Sequence, residues 1–356
     1  MDRARDVWGA LRRRPFRWTL PALMLLALVV LQWWLPAWAD RAEGWTIDAR
    51  FHVRGEASPH APIVVVALDE ASFQTLGELR GENIRAWPRV RWAELVDRIA
   101  AGDPRVIGLD VVFDTPGWDE GGDDELAAAL AKAGNVVLAA HLERSGGAAY
   151  DNVTLSPPIV PLAQAAAGAG LANLSTDADG AVRRTSLLYT WGGGVQPSFS
   201  LVIATLFAGE RIQVDQADLA LDGTLPINYR GGEGTFPTVS MIDVWQGEVA
   251  PGTFEDAIVL VGYTTQLEQD RHQTPFSDPE GVPGVEIQAN AVDTLLAGDW
   301  LHRPPGWMAV ALVALLGGLA LAAINLPRSW SGVLALVAIL TIYLLGGLLL
   351  FEVADF

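Results

Sequence analysis

Apolar residues fall into two kinds of pattern along the chain. Three uncharged stretches, 18–39, 307–326 and 330–351, are apolar on every side. Each matches the ~20 residues with which a helix crosses a bilayer. Tryptophans stand at several of their ends, as interfacial aromatics do. Within 40–306 the runs are shorter and rich in β-branched residues: PIVVVALD (62–69), RVIGLDVVFD (105–114), NVVLAA (135–140) and AIVLVG (257–262). Continuous apolar runs of that length predict strands buried on both faces of a parallel sheet. Between the first two, Trp92, Leu95, Val96 and Ile99 follow i, i+3, i+4, i+7 spacing and predict a helix. Between the second and third, Leu126 and Leu130 predict another, with Asp123, Asp124 and Glu125 in the first turn where the helix dipole favours acids. Alternation of this kind predicts a right-handed βαβαβ core.

The stretch 150–250 departs from that rhythm. AVRRTSLLYTW (181–191) predicts a strand, and PSFSLVIATLF (197–207) a helix with Ser198 as its N-cap. DLALDGTLPINYRGG (218–232) carries the Asp-Gly and Gly-Gly turn signals of hairpins. The expected fold is therefore α/β, a mostly parallel sheet with an antiparallel addition, joined to three transmembrane helices. GVPGVEIQANAVDTLLAG (281–298) predicts a last helix ending at Gly298. Val285, Ala289, Val292 and Leu296 lie along one stripe, and Glu286, Asn290 and Asp293 along another.

Charge orients the chain. Residues 1–17 hold six arginines against two aspartates, a net +4, which predicts a cytoplasmic basic tail. The first helix then carries 40–306 outside the cell membrane, the second returns, and the link 327–329 with its one arginine is cytoplasmic. The third helix leads out again, leaving 352–356 as an outer stub. A cleavable leader is the rival reading, because Ala37-Trp38-Ala39 matches a processing site; the apolar stretch, at 22 residues, exceeds the roughly 7–15 of a leader core. The gross topology is the same either way. The chain's net charge is −18, so the +4 start and the −1 segment from 307 leave −21 on the middle. Phosphate backbones repel such a domain, which excludes nucleic acid as a partner. There is no cysteine, so disulfides and thiol chemistry are excluded.

Candidate chemistry is sparse. In open α/β sheets ligands bind beyond the carboxyl ends of the parallel strands. Asp69 and Glu70 follow the first strand there, Asp110 and Asp114 the second, and Tyr263 the fourth. They offer a polar pocket for a cation, an amine or a polyol; the competing reading is that they cap helices and pair with arginines, with Asp69 capping EASFQTL. Arg183 and Arg184 follow the turn Asp177-Ala178-Asp179-Gly180 and either clamp an anion or pair with acids already present. The acids of 119–125 lack EF-hand spacing and predict a solvated loop and helix start. His52, His60, His141, His272 and His302 have no paired spacing, and neither a P-loop nor a Gly-x-Ser-x-Gly elbow is present. No cofactor is expected, and nothing here predicts a catalytic centre.

Ten segments occur in order: PIVVVALDEAS, AWPRVRWAELVDRI, RVIGLDVVFD, NVVLAA, DADGAVRR, PSFSL, INYRG, AIVLVGYT, DRHQTPF and GVEIQANAVDTLL. Together, from about 45 to 300, they resemble the type-two CHASE domain, an outward-facing sensory module of cyclases and histidine kinases. The resemblance singles out Asp69, Arg89 beside Trp87-Pro88, Asp110, Arg183-Arg184, Tyr229 with Arg230-Gly231, Asp270, Thr274-Pro275-Phe276 and Glu286. It implies an unidentified extracytoplasmic ligand or protein partner, a lipid bilayer, and a homo-oligomer, for which Gly317-Gly318 and Gly346-Gly347 allow close helix packing. In that family three membrane helices and a cytoplasmic effector follow the domain. Here two follow, so the expectation is the sensory half of a bacterial receptor, ending in an outer loop. The expected output is an adenylate or guanylate cyclase. A histidine or Ser/Thr kinase, a stand-alone envelope assembly protein, and an extracytoplasmic enzyme using Asp69, Glu70 and Asp110 are the alternatives.

Overall fold

A computed structural model describes residues 36–80, 87–147, 150–191, 194–216, 218–220, 222–266, 270–302, 306–324 and 329–354. The chain divides into two compact units, Ile47–Leu301 and the pair of segments Met1–Thr46 with His302–Phe356.

In the larger unit the C-terminal part of α1 (Pro36–Arg54) leads to β1 (Ile63–Leu68), α2 (Glu70–Arg80), α3 (Arg89–Ala100), β2 (Val106–Val112), α4 (Gly122–Ala133) and β3 (Val136–Gly147). Then come β4 (Tyr150–Ser156), α5 (Val160–Ala165), β5 (Gly168–Leu171), β6 (Arg184–Ser186), β7 (Leu188–Trp191), β8 (Gly194–Pro197) and α6 (Phe199–Ala208). The last part contains β9 (Thr224–Pro226), β10 (Thr238–Ser240), α7 (Met241–Gln246), β11 (Ile258–Tyr263), β12 (Arg271–His272), β13 (Val282–Pro283) and α8 (Gly284–Ala297).

The main sheet runs β10-β1-β11-β2-β3-β4, with β5 also on β3. All pairings are parallel except β3 with β4. The four predicted strands are present and parallel, but the fourth, β11, lies between the first and second, so β1 and β2 are not neighbours. Strand alternation sorts the core into two layers. Val64, Val66 and Leu68 of β1 and Val259 and Val261 of β11 face Trp92, Ile99, Phe113, Leu126 and Trp245. Ile63, Val65, Ile258 and Leu260 face Phe199, Ile203, Val285, Ala289 and Val292. Burying each such side chain contributes roughly 1.5–3 kcal/mol relative to exposure.

Ser198 caps α6 as expected, its Oγ accepting from the Leu201 amide at 3.2 Å. Gly298 ends α8 in the left-handed conformation, φ +68°, its amide donating to Thr294 O. The two stripes expected on α8 do not separate a buried from an exposed side: every residue from Gly284 to Leu295 is buried. At Gly262 of β11 an added Cβ would lie 2.6 Å from Val285 Cβ, so only glycine lets α8 approach the sheet this closely. The expected strand 181–191 is broken at Leu187 into β6, which pairs with β9, and β7, which pairs with β8. The turn at Gly223 (φ +78°) precedes β9 rather than joining two strands of one hairpin.

The smaller unit contains α9 (Gly306–Ile324) and α10 (Ser329–Ala354), packed on each other at the positions expected for the second and third spans. At about 1.5 Å per residue their 19 and 26 residues correspond to about 28 and 39 Å. Among the described residues no helix is long and apolar enough to cross a membrane. The side chains of 306–310, 313, 314, 321 and 324 in α9, and of 329, 330, 344, 348–350 and 352–354 in α10, are not among them. Of the first expected span, 18–35 lies outside the described residues. The expected outer stub begins inside α10, which continues to Ala354.

Candidate functional site

The carboxyl edge of the sheet is lined with acids, most of them held internally. Asp69 caps α2: its Oδ1 accepts from the Ser72 amide (2.9 Å) and from the hydroxyls of Ser72 (2.6 Å) and Ser240 (2.9 Å). Because Ser240 ends β10, the cap also ties the edge strand to β1. Glu70 accepts from Thr265 Oγ1 at 3.2 Å. Tyr263 lies beside Phe73, ring centroids 6.3 Å apart, and Asp114 is exposed. Asp110, half-buried on β2, differs from these. Burial, and then the neighbouring charge of Asp270, hold its carboxyl well above the usual carboxylate range. Asp270 in turn meets His272 Nε2 at 3.1 Å.

Arg89 starts α3 and is fixed by the loop before α4. Its Nε donates to Asp123 Oδ1 (3.1 Å), a terminal nitrogen to Thr115 O (2.6 Å), and its amide to Asp119 Oδ1 (2.9 Å). The acids of 119–125 thus build a loop, and among the described residues no cluster is arranged to hold a metal ion.

The predicted arginine pair is engaged by acids. Buried Arg183 donates to Asp48 through Nε and Nη2 (both 2.7 Å), to Asp177 (3.0 Å) and to both oxygens of Asp179 (3.0 and 2.9 Å). Burial alone would lower its pKa, but these carboxylates raise it; in return the Arg183 hydrogen bond holds Asp179 below the usual range. Arg184 pairs with Asp177 and, at 3.2 Å, with Asp222. Tyr229 is fully buried, its hydroxyl donating to Val182 O at 2.8 Å, and burial pushes its pKa well above the phenolic value.

Next to it Arg230, also buried, joins α8 to the chain beyond it. Its Nε meets Asp293 Oδ2 at 2.5 Å and its outer nitrogens meet Asp299 at 2.8 Å. The other oxygen of Asp293, which has no solvent exposure, accepts the amides of His60 (2.8 Å) and Ala61 (2.7 Å). Arg54 from the end of α1 donates to Asn228 Oδ1 (2.5 Å) and Tyr229 O, and Asn228 Nδ2 donates to Asp299 O (2.8 Å). Glu286, in the first turn of α8, accepts the Gly234 amide at 2.8 Å through Oε1.

Sequence reasoning named Arg183, Arg184, Tyr229 and Glu286 but not the acids that complete their networks. Asp177 and Asp179 stood in the quoted turn and could have been assigned by proximity. Asp48 and Asp299 lie 135 and 69 residues from their arginines, and no local signal marks them. The candidate residues are thus dispersed over several internal networks; Asp110, expected at the sheet edge, and Asp270, singled out by the resemblance, are near enough for their charges to interact.

The CHASE2 domain family matches residues 23–324, most of the chain, and the chain belongs to that family of extracellular sensory domains. No curated relative and no solved structure matches the chain significantly.

Proposed function

We propose that this chain is the input module of a membrane-anchored bacterial receptor whose output is a nucleotide cyclase. In this reading 18–39, 307–326 and 330–351 cross the cell membrane with the basic N-terminus inside, and 40–306 faces outward, where an extracytoplasmic ligand or protein acts on it. One observation carries the reading beyond family membership. The ribbon of β6 and β9, with its continuation to Arg230, grips both ends of the domain: Arg183 holds Asp48 of the entering helix α1, while Asn228 and Arg230 hold Asp299 of the exit. Asp299 precedes the apolar helix α9 by seven residues. A ligand that binds two arrangements of the ribbon with different affinity shifts their populations by that difference alone, and both connections to the membrane feel the shift.

Two experiments test this. Reading the source gene past codon 356 should find a further apolar span and a cyclase. A kinase there would establish the second reading, and an immediate stop codon would favour an envelope assembly protein and remove the receptor reading. In the full receptor, a Gly/Ser insertion at Arg303 should uncouple output from stimulus; unaltered signalling would remove the coupling route.

A further inference from the structure

Glu286 occupies the third position of α8. A glutamate there ordinarily reaches back to the backbone N–H of the capping residue. The cap here is Pro283, which has no N–H to give. The side chain instead turns to the glycine-rich loop 231–234, where Oε1 takes the Gly234 amide at 2.8 Å. Oε2 is buried and meets no donor, in a residue only 1% exposed. Ionised, that oxygen would be a desolvated acceptor with nothing to accept from, an arrangement that costs far more than the neutral acid.

The nearest cation relieves it only in part. Facing Glu286 are Glu233 and Arg271. Arg271 is committed elsewhere: it pairs with Glu233 and donates to Thr264 O (3.0 Å), Glu280 O (3.1 Å) and Gly281 O (2.6 Å). Of the elements packed on α8, α6, β1 and β13 carry no titratable side chain and β11 carries Tyr263. Asp293, further along α8, is bound by Arg230. Glu56 lies against the loop on its other side, 3.1 Å from the place a Cβ on Gly231 would take.

We propose that Glu286 is a proton-operated latch between α8 and the loop 231–234: the neutral acid holds the loop closed, and loss of the proton loosens it. Burial first, and then the charge of Glu233, outweigh the Gly234 hydrogen bond and Arg271, and push the Glu286 pKa up to about 7. The sign follows from linkage. The folded pKa is raised above the ordinary value near 4.5, so the closed form binds the proton that the open form has lost. The contribution of the latch is complete below about pH 4.5, declines as pH rises, and is gone once pH has passed about 7. The loop adjoins Arg230, so its release acts next to the residue that joins α8 to Asp299. The latch goes beyond the receptor reading and stands whether or not an output domain follows.

The test uses the 356-residue chain with carbon-13 in its glutamate carboxyls. The Glu286 resonance, assigned by its loss in Glu286→Gln, should titrate with a midpoint near 7, as expected from its burial. Hydrogen exchange at Gly234, corrected for intrinsic base catalysis, should lose protection by roughly 10- to 30-fold between pH 5.5 and 8. Glu286→Gln, neutral at every pH, should abolish that dependence. A carboxyl titrating at the ordinary value, or Gly234 protection equal at the two pH values in the unaltered chain, would overturn the proposal. The Gly234 readout is made on the unaltered chain and does not require the variant to fold.

Discussion

Arg230 and Asp293 form a pair with almost no solvent on either side, 3% and 0% exposed. Removing one member of such a pair leaves a buried charge without compensation, so Arg230→Met should destabilise the domain by about 3–5 kcal/mol in urea unfolding of the chain. The double variant Arg230→Met, Asp293→Leu should lose less than the sum of the two single changes, because the fully buried charge of Asp293 is no longer left unpaired. At Asp110, the smaller of the two causes that raise its pKa is Asp270, so Asp270→Asn should lower the Asp110 titration midpoint while leaving it above the ordinary value, as read by carboxyl carbon-13 shifts. Individual residues were legible in the sequence where the partner is local. Asp69 capping α2 three residues from Ser72 is such a case, and Arg183 with Asp179 four residues away is another. Glu286 was named from resemblance alone. Its orphaned oxygen is a property of Pro283 and of a loop more than fifty residues away, which no periodicity encodes.

Elements were more legible than their neighbours. Runs such as IVVVAL and IVLVGY announce buried parallel strands because both faces are covered, and β1 and β11 are such strands. Their order in the sheet is a tertiary choice that no single run encodes, and on β11 Gly262 admits α8 against one face. Gly262→Val should therefore overpack this contact and cost on the order of 1–3 kcal/mol or more, measured by the shift of the unfolding midpoint. β4 escaped the reading because YDNVTLS is polar and is recruited by antiparallel pairing with the second half of β3. The N-cap of α6 was legible, and Ser198→Ala should destabilise by about 1 kcal/mol, with Gly a milder replacement. On α8 the sequence showed two stripes, yet Asn290 and Asp293 are buried with the apolar ones because Arg230, His60 and Ala61 supply their hydrogen bonds. Binary patterning marks polarity, not whether a partner will arrive.

For the molecule as a whole, the absence of cysteine makes a clean topology experiment available. A single cysteine at exposed Glu248 should react with a membrane-impermeant maleimide in intact cells, and one at Asp6 should react only after the cells are opened; the reverse pattern would invert the proposed orientation. The −21 middle and the family were legible from composition and order, because they are sums over many residues. The grip of the β6–β9 ribbon on both ends was not, since it depends on Asp48 and Asp299, 135 and 69 residues from their arginines. That grip has a mechanical consequence. The ribbon is clasped to both the incoming and the outgoing chain, in addition to the packing of Phe51 and α8 into the core. Under the proposed receptor reading, turning the two leads together would keep these contacts, whereas spreading them would break the clasps at Asp48 and Asp299.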